Sequence, residues 1–267
     1  MTLAPTTTAD GTQHQFGYEW DIYREIVPLY REQFLRWIAP VSIEEFQGKK
    51  FLDAGCGIGR NSYWPLQEGA ASAVAFDYDA RTVKVAQENL KGFSNAQVML
   101  KSVYDIQWEN EFDIVFCIGV LHHLPDARKA IENLIKAVKP GGRYIFWVYG
   151  YEGNERYLKF IDPVRRAITS RLPLWLTRRL ATVLTAILKV YLLLPQRKPY
   201  LKLLKQMSFR HLESIAFDQL LPTIANYWRK EEVESLVKGL PVNIESIQHT
   251  NAMSWTITGK KLASGSK

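Results

Sequence analysis

The sequence predicts an α/β protein, a parallel sheet with helices on both faces. Three observations predict it. From Lys49 to Tyr149, short apolar runs alternate with helical patterns at the spacing of strand–helix–strand units. The stretch "FLDAGCGIGR", Phe51 to Arg60, places Gly55, Gly57 and Gly59 at alternate positions after an apolar pair and an acid. Asp77 follows Gly57 by 20 residues, at the end of the second apolar run.

The strands are read in order from "KFLDAG", "SAVAFD", "AQVMLKS", "EFDIVFCIG" and "GGRYIFWVY". Between them "RNSYWPLQEG", "DARTVKVAQENLKG" and "DARKAIENLIKAVKPGG" carry helical patterns. Asp79 and Asp126 stand where N-caps belong, and Gly92 and Gly141 follow the expected ends of their helices. In such sheets ligands bind beyond the carboxyl ends of the strands, where the strand order reverses. The Gly55–Gly59 loop and Cys117 both fall there.

The loop selects among nucleotides. A nicotinamide or flavin fingerprint, G-x-G-x-x-G from Gly55, needs glycine at position 60, where Arg60 stands. Hydride transfer is therefore the weakest enzyme reading. An acid at Asp77 can accept from both ribose hydroxyls of an adenosine. The bland alternative is a tight strand-to-helix turn with no ligand.

The flanks carry different information. The chain has 267 residues and a net charge of +7, which permits acidic substrates, nucleic acid or a membrane surface. Its two cysteines, Cys56 and Cys117, are too few for a disulfide framework and read as reduced thiols in a cytoplasmic protein. "MTLAPTTTAD" lacks the basic start and apolar core of a signal peptide and reads as a disordered tail. From Gln15 to Ile38, Trp20, Ile26, Leu29, Phe34 and Trp37 fit an amphipathic helix, kinked or restarted at Pro28. From Gly150 to Arg210 there are 13 Lys and Arg against 3 acids, so the positive charge belongs to this segment. Within it, Arg178, Thr182, Thr185 and Lys189 draw one polar stripe on an otherwise apolar helix around Leu174–Leu194. Charges interrupt it too often for a membrane span. The expectation is a lid wall with Leu184 and Ile187 shielded. A dimer interface or peripheral membrane contact is the other use of such a helix.

"FLDAGCGIGR", "AFDYD", "FDIVFCIGVLHHLPD" and "VKPGGRYIFWVY", in that order, resemble the class I S-adenosylmethionine-dependent methyltransferases. The closest likeness is to the small-molecule group (types 11 and 12) that includes the quinone-biosynthesis enzymes. The resemblance implies a Rossmann-like seven-stranded sheet whose last strand is antiparallel, with "VNIESIQHTN" and "MSWTITGKK" as the final hairpin. It implies a tail and cap helices over residues 1–48, a cofactor-binding core over 49–149, a helical substrate cap inserted after the fifth strand over 150–228, and a closing helix and strand pair over 229–267.

With S-adenosylmethionine as cofactor, Asp53, Gly55, Cys56 and Gly57 would line its methionine part. Arg60 and Asn61 would meet the carboxylate, and Cys117 and Ile118 would lie at the end of the fourth strand. Asp77 would hold the ribose, with Tyr78 against the adenine. Many relatives carry Gly-Asp-Ala after the third strand. Here "KSVYDI" stands instead, leaving Ser102 and Val103 as adenine-edge candidates and Asp105 as a further one.

Methyl transfer needs alignment, exclusion of water, and a base when the acceptor carries a proton. His122 or His123, just past the fourth strand, can be that base. Alternatively, one histidine caps the following helix and the other packs. The adjacent pair lacks ligand spacing, so no metal is expected. Tyr18, Trp20, Tyr149, Tyr151, Glu152 and Asn154 are the substrate-side candidates. The expected reaction is methylation of oxygen or nitrogen on a small or amphiphilic metabolite. An RNA methyltransferase using the basic insertion, or a non-catalytic cofactor-binding protein, are the alternatives.

Overall fold

The computed structural model describes residues 8–197 and 199–263. Residues 1–7 of the expected tail lie outside that range, and a helix already begins at Thr8. The chain divides into two units. One, the core, comprises Glu25–Asn154 and Ala225–Lys267. The other, a helical unit, comprises residues up to Arg24 together with Glu155–Ile224.

The core is built on a seven-stranded sheet in the order β3-β2-β1-β4-β5-β7-β6. Strands β1 (Lys50–Ala54), β2 (Ser72–Asp77), β3 (Ala96–Leu100), β4 (Phe112–Ile118) and β5 (Val138–Tyr149) run parallel. The hairpin of β6 (Val242–Thr250) and β7 (Ser254–Lys261) inserts β7 antiparallel against β5. Order reverses between β1 and β4, which fixes the switch point.

Both faces of the sheet are covered, which is why its strands read as apolar runs rather than alternations. Phe51, Ile114, Phe116 and Ile118 point to one face, packed with Phe34 and Ile38 from α2 (Leu29–Ile38) and Leu66 from α3 (Arg60–Gln67). Leu52, Val115 and Cys117 point to the other, against Ile131, Leu134 and Ile135 of α5 (Ala127–Ala137) and Val233 of α11 (Lys230–Ser235). Asp79 caps α4 (Ala80–Leu90), accepting from Arg81 N and Thr82 N. Asp126 caps α5, accepting from Lys129 N. Gly141 does not follow a helix end: α5 stops at Ala137, and "KPGG" lies inside β5 at a shift of its register with β4.

In the helical unit α1 (Thr8–Ile22) is joined by α6 (Glu155–Phe160), α7 (Asp162–Ala167), α8 (Leu174–Leu193), α9 (Pro199–Gln206) and α10 (Phe209–Leu220). The chain restarts after Pro28, so α1 and α2 are separate helices and fall in different units. Polar bonds tie α1 in: Gln15 Nε2 donates to Ser170 O, Ser214 Oγ to Glu19 and the Tyr23 hydroxyl to Glu213. Arg165, fully buried, pairs with Asp162 and donates to Pro222 O.

The apolar face of α8 corrects the expectation of a shielded lid helix. Thr177, Ala181, Thr185 and Leu192 are its buried residues, whereas Leu184 is 41% and Ile187 62% exposed. Thr182 and Lys189, half-buried at the edge of that arc, bond to Glu213 and to Met207 O, while Thr177 donates to Pro173 O at the start of its own helix.

Candidate active site

The glycine loop is locked to the neighbouring strand before any ligand enters. Gly55 N and Cys56 N both donate to Phe76 O at 2.9 Å. Gly55 has φ +75°, and a Cβ there would fall 2.4 Å from Val120 Cγ2. Only glycine lets the β1 end pass the β4 loop this closely. Gly59 caps α3 at φ +80°, where a Cβ would meet Leu90 at 3.0 Å.

At the end of β2, Gly57 N donates to Asp77 Oδ2 at 3.0 Å and Asp79 N to Oδ1 at 3.1 Å. The carboxylate is thus fixed by two backbone donors, and each oxygen retains acceptor capacity. Burial pushes Asp77 up to about 6, opposed by those same N–H groups. Asp53, fully buried, accepts from Ser62 Oγ at 2.7 Å. Burial pushes it up to about 7, with the charge of Asp77 adding to the rise and Ser62 and Arg60 opposing it.

Arg60 opens α3 with its guanidinium over two rings of the preceding segment, 5.0 Å from Tyr30 and 5.4 Å from Trp37. Asn61 is buried beside it, and Tyr78 is exposed. Ser102 sits in the turn after β3, its hydroxyl accepting from Tyr104 N and its carbonyl from Asp105 N. Val103 packs into the core, with its carbonyl taken by Asn133 Nδ2 at 3.1 Å. Asp105 is exposed. Cys56, Cys117 and Ile118 are buried. Burial holds both thiols above their usual range, so neither is a nucleophile at neutral pH.

Past β4, Leu121–His123 forms a single tight turn. His122 is fully buried and stacks on Tyr149 with ring centroids 3.7 Å apart. Neither of its ring nitrogens has a hydrogen-bond partner among the described residues. Burial, then the adjacent His123, lowers its pKa well below the usual imidazole value. It is therefore a neutral ring at pH 7. The His123 ring is 4.2 Å from that of His122 and 5.6 Å from that of Tyr149.

The remaining substrate-side candidates divide. Tyr151 lies beneath Arg229, 3.9 Å from ring centroid to guanidinium. Glu152 and Asn154 are fastenings: the Glu152 carboxylate accepts from Trp255 Nε1 at 3.0 Å, and Asn154 Nδ2 donates to Gly150 O and Met253 O. Their polar groups hold the loop after β5 to the closing hairpin. Tyr18 and Trp20 belong to the helical unit, where Tyr18 packs on Phe217 at 6.0 Å.

Sequence reasoning missed the aromatic wall around His122. Trp147 lies 5.9 Å from His122 and 5.2 Å from Trp37, and Tyr227 lies 5.3 Å from Tyr149. Trp147 and Tyr149 are two apart on β5 and share a sheet face, a signal present in "FWVY".

A parallel sheet with a glycine loop and an acid at the end of β2 defines a nucleoside-binding α/β protein. The model of the family described as "Methyltransferase domain" matches residues 52–146. A ubiquinone biosynthesis O-methyltransferase of Erwinia tasmaniensis is 33% identical over 156 residues, which take in 53% of this chain and 63% of that one. The chain thus spans less than two thirds of that relative's length. Among solved structures, a chain of the complex between the Haloferax volcanii Trm112 methyltransferase activator and a methyltransferase superposes with TM-score 0.61 at 10% identity, covering 98% of this chain and all of that one. The Burkholderia thailandensis 1,6-didemethyltoxoflavin-N1-methyltransferase superposes with TM-score 0.58 at 15% identity, covering 98% and 94%. At these identities the structures speak for the fold. Residues 52–146 thus match a methyltransferase domain, and the chain is similar to the quinone-biosynthesis group of the class I S-adenosylmethionine-dependent methyltransferases.

The residues present fit the family's cofactor. Asp77 offers two fixed acceptors to a pair of vicinal hydroxyls, and the two acids beside the loop, Asp53 buried and Asp77 half-buried, favour a cationic ligand. S-adenosylmethionine supplies an electrophilic methyl group on a sulfonium with a neutral leaving group. The chain's own part is to align the acceptor and exclude water. The buried His122 ring past β4, packed on the half-buried Tyr149 and Trp147 of β5, suits both tasks.

Proposed function

We propose that this protein transfers a methyl group from S-adenosylmethionine to an oxygen of a small or amphiphilic metabolite. The observation that carries the proposal is the Asp77 carboxylate locked to the glycine loop, with the His122–Tyr149 stack at the ends of the strands across the switch point. Asp53, Gly55, Cys56 and Gly57 line the methionine part, Arg60 and Asn61 receive its carboxylate, and Asp77 and Tyr78 hold the adenosine. Ser102 and the Val103 backbone border the adenine edge. Cys117 and Ile118 pack below.

Oxygen is favoured over nitrogen by the imidazole pair. A hydroxyl must lose its proton as it attacks, whereas a neutral amine attacks without a base. His122 or His123 takes that proton on a ring nitrogen. Tyr149 and Tyr151 border the acceptor in the core. The name of the Erwinia relative supports the same acceptor atom.

The test is a product screen. The protein is incubated with methyl-labelled cofactor and host extract, and labelled products are resolved by mass spectrometry. A labelled methyl ether or ester is expected. Label confined to amines or to RNA would reject the oxygen assignment, and label in no product at all would leave a cofactor-binding protein without this activity.

A further inference from the structure

Helix α8 is inside out. Its inward arc carries Thr177, Ala181, Thr185 and Leu192, all buried. The same arc is pinned by hydrogen bonds within the helical unit: Thr182 Oγ1 donates to Glu213 Oε1, and Lys189 Nζ to Met207 O at 2.8 Å. Glu213 is itself held by the Tyr23 hydroxyl at 2.8 Å. At about 100° per residue the opposite arc is apolar. Trp175, Val183, Ile187, Val190, Tyr191 and Leu193 lie on it and are 49–75% exposed. Arg179 is the one charged residue among the exposed positions of α8. Rotating the helix to bury this arc would break the bonds of Thr182 and Lys189, so the fold itself presents the apolar face to the outside.

A contiguous apolar arc of this size on a surface marks a docking site, and charge identifies the occupant. From Gly150 to Arg210 the chain carries 13 basic residues against 3 acidic. Arg166, Arg171, Arg179, Lys202 and Lys205 are exposed. Two copies meeting here would bring two strongly positive surfaces together, which is unfavourable. An anionic bilayer offers an apolar edge beneath negative headgroups and attracts the same charges. Trp175 and Tyr191, one near each end of α8, are the residue types that settle at that boundary. Among the described residues no helix is long and apolar enough to cross a membrane, so α8 would lie on it.

We propose that the exposed face of α8 docks this protein on the surface of an anionic lipid bilayer. The inference goes beyond methyl transfer and stands without it. Cosedimentation tests it, using the full chain with vesicles of phosphatidylcholine alone or mixed with phosphatidylglycerol, at low and high salt. The protein should pellet with the anionic vesicles and be released by salt. Ile187→Glu combined with Val190→Glu should lower the partition coefficient by roughly tenfold or more, with melting temperature and cofactor binding unchanged. Arg179→Ala should lower it by less, about fivefold. Folded wild-type protein remaining in the supernatant would overturn the proposal, as would full pelleting of the double variant. So would a concentration-dependent dimer in sedimentation velocity that the same pair abolishes while no vesicle binding is seen, which would assign the face to a second copy.

Discussion

The charge of Asp77 adds to the burial that raises Asp53, which is fully buried, whereas Asp77 is half-buried. Replacing Asp77 with Ala should weaken cofactor binding by roughly 2–4 kcal/mol, since hydrogen bonds to a charged group are worth about 1.5–3 each and do not add fully. Calorimetry on the folded variant checks this, and unchanged affinity would remove Asp77 from the ribose. Only the ionised carboxylate accepts from two hydroxyls. With Asp77 at about 6, cofactor affinity should therefore fall as pH drops below that value, by about tenfold per unit, and Asp77→Asn should flatten the profile. For apoprotein stability the sign is opposite. Both acids are raised above 3.8, so the stability they lend is present below that pH and lost as pH rises through about 6 to 7. Asp53→Asn should narrow the drop in melting temperature between pH 5 and pH 8. Of the two histidines, if one accepts the acceptor's proton, its Ala variant should lose on the order of 10²–10⁴ in turnover while still binding cofactor. Full turnover in both variants would leave alignment alone as the source of catalysis. The places of Asp53 and Asp77 near the ends of β1 and β2 were legible because they follow from spacing along one strand–loop–helix–strand unit. Trp37 and Tyr227 were not, because they reach Trp147 and Tyr149 from elements distant in sequence. The bonds of Glu152 and Asn154 were hidden for the same reason: Trp255 and Met253, their partners, come about a hundred residues later.

At the scale of the element, the caps at Asp79 and Asp126 could be read directly, since an N-cap acts within three residues. The Gly55 turn is the most constrained junction. Gly55→Ala should destabilise by about 1–3 kcal/mol through its contact with Val120 and its left-handed backbone. Adding Val120→Ala should recover the steric part and leave the backbone part, a coupling that a double-mutant cycle of denaturant midpoints measures. If the two substitutions add without coupling, the close approach is not what restricts position 55. The proline and glycines of "KPGG" predict the end of a helix, since both residues end helices. A shift in a strand's register uses the same residues, and only the pairing of Phe112 with Val138 and of Ile114 with Arg143 tells them apart. Periodicity found the stripe on α8 and not its direction. A polar stripe faces water by default, and here Glu213 and Met207 O supply partners inside.

Across the whole molecule, chemistry and charge are segregated. The core unit holds the glycine loop, the paired acids and the aromatic wall. The segment from Gly150 to Arg210 holds the excess positive charge and the exposed apolar helix. The seven strands and the antiparallel β7 are what the resemblance carried by "FLDAGCGIGR" and "VKPGGRYIFWVY" implies, and the order of the strands comes from their pairing. The assignment of α1 to the same unit as the insertion was not legible. It rests on polar pairs such as Gln15–Ser170 and Glu19–Ser214, which no hydrophobic period marks. The most direct test of the central claim is single-turnover transfer of labelled methyl from S-adenosylmethionine into host extract, by wild-type protein and by Asp77→Ala side by side. Label should move into an acceptor with the wild type and fall to background with the variant at the same cofactor concentration. Wild-type protein that binds the cofactor and moves no label, or a variant that moves as much as the wild type, would contradict the account.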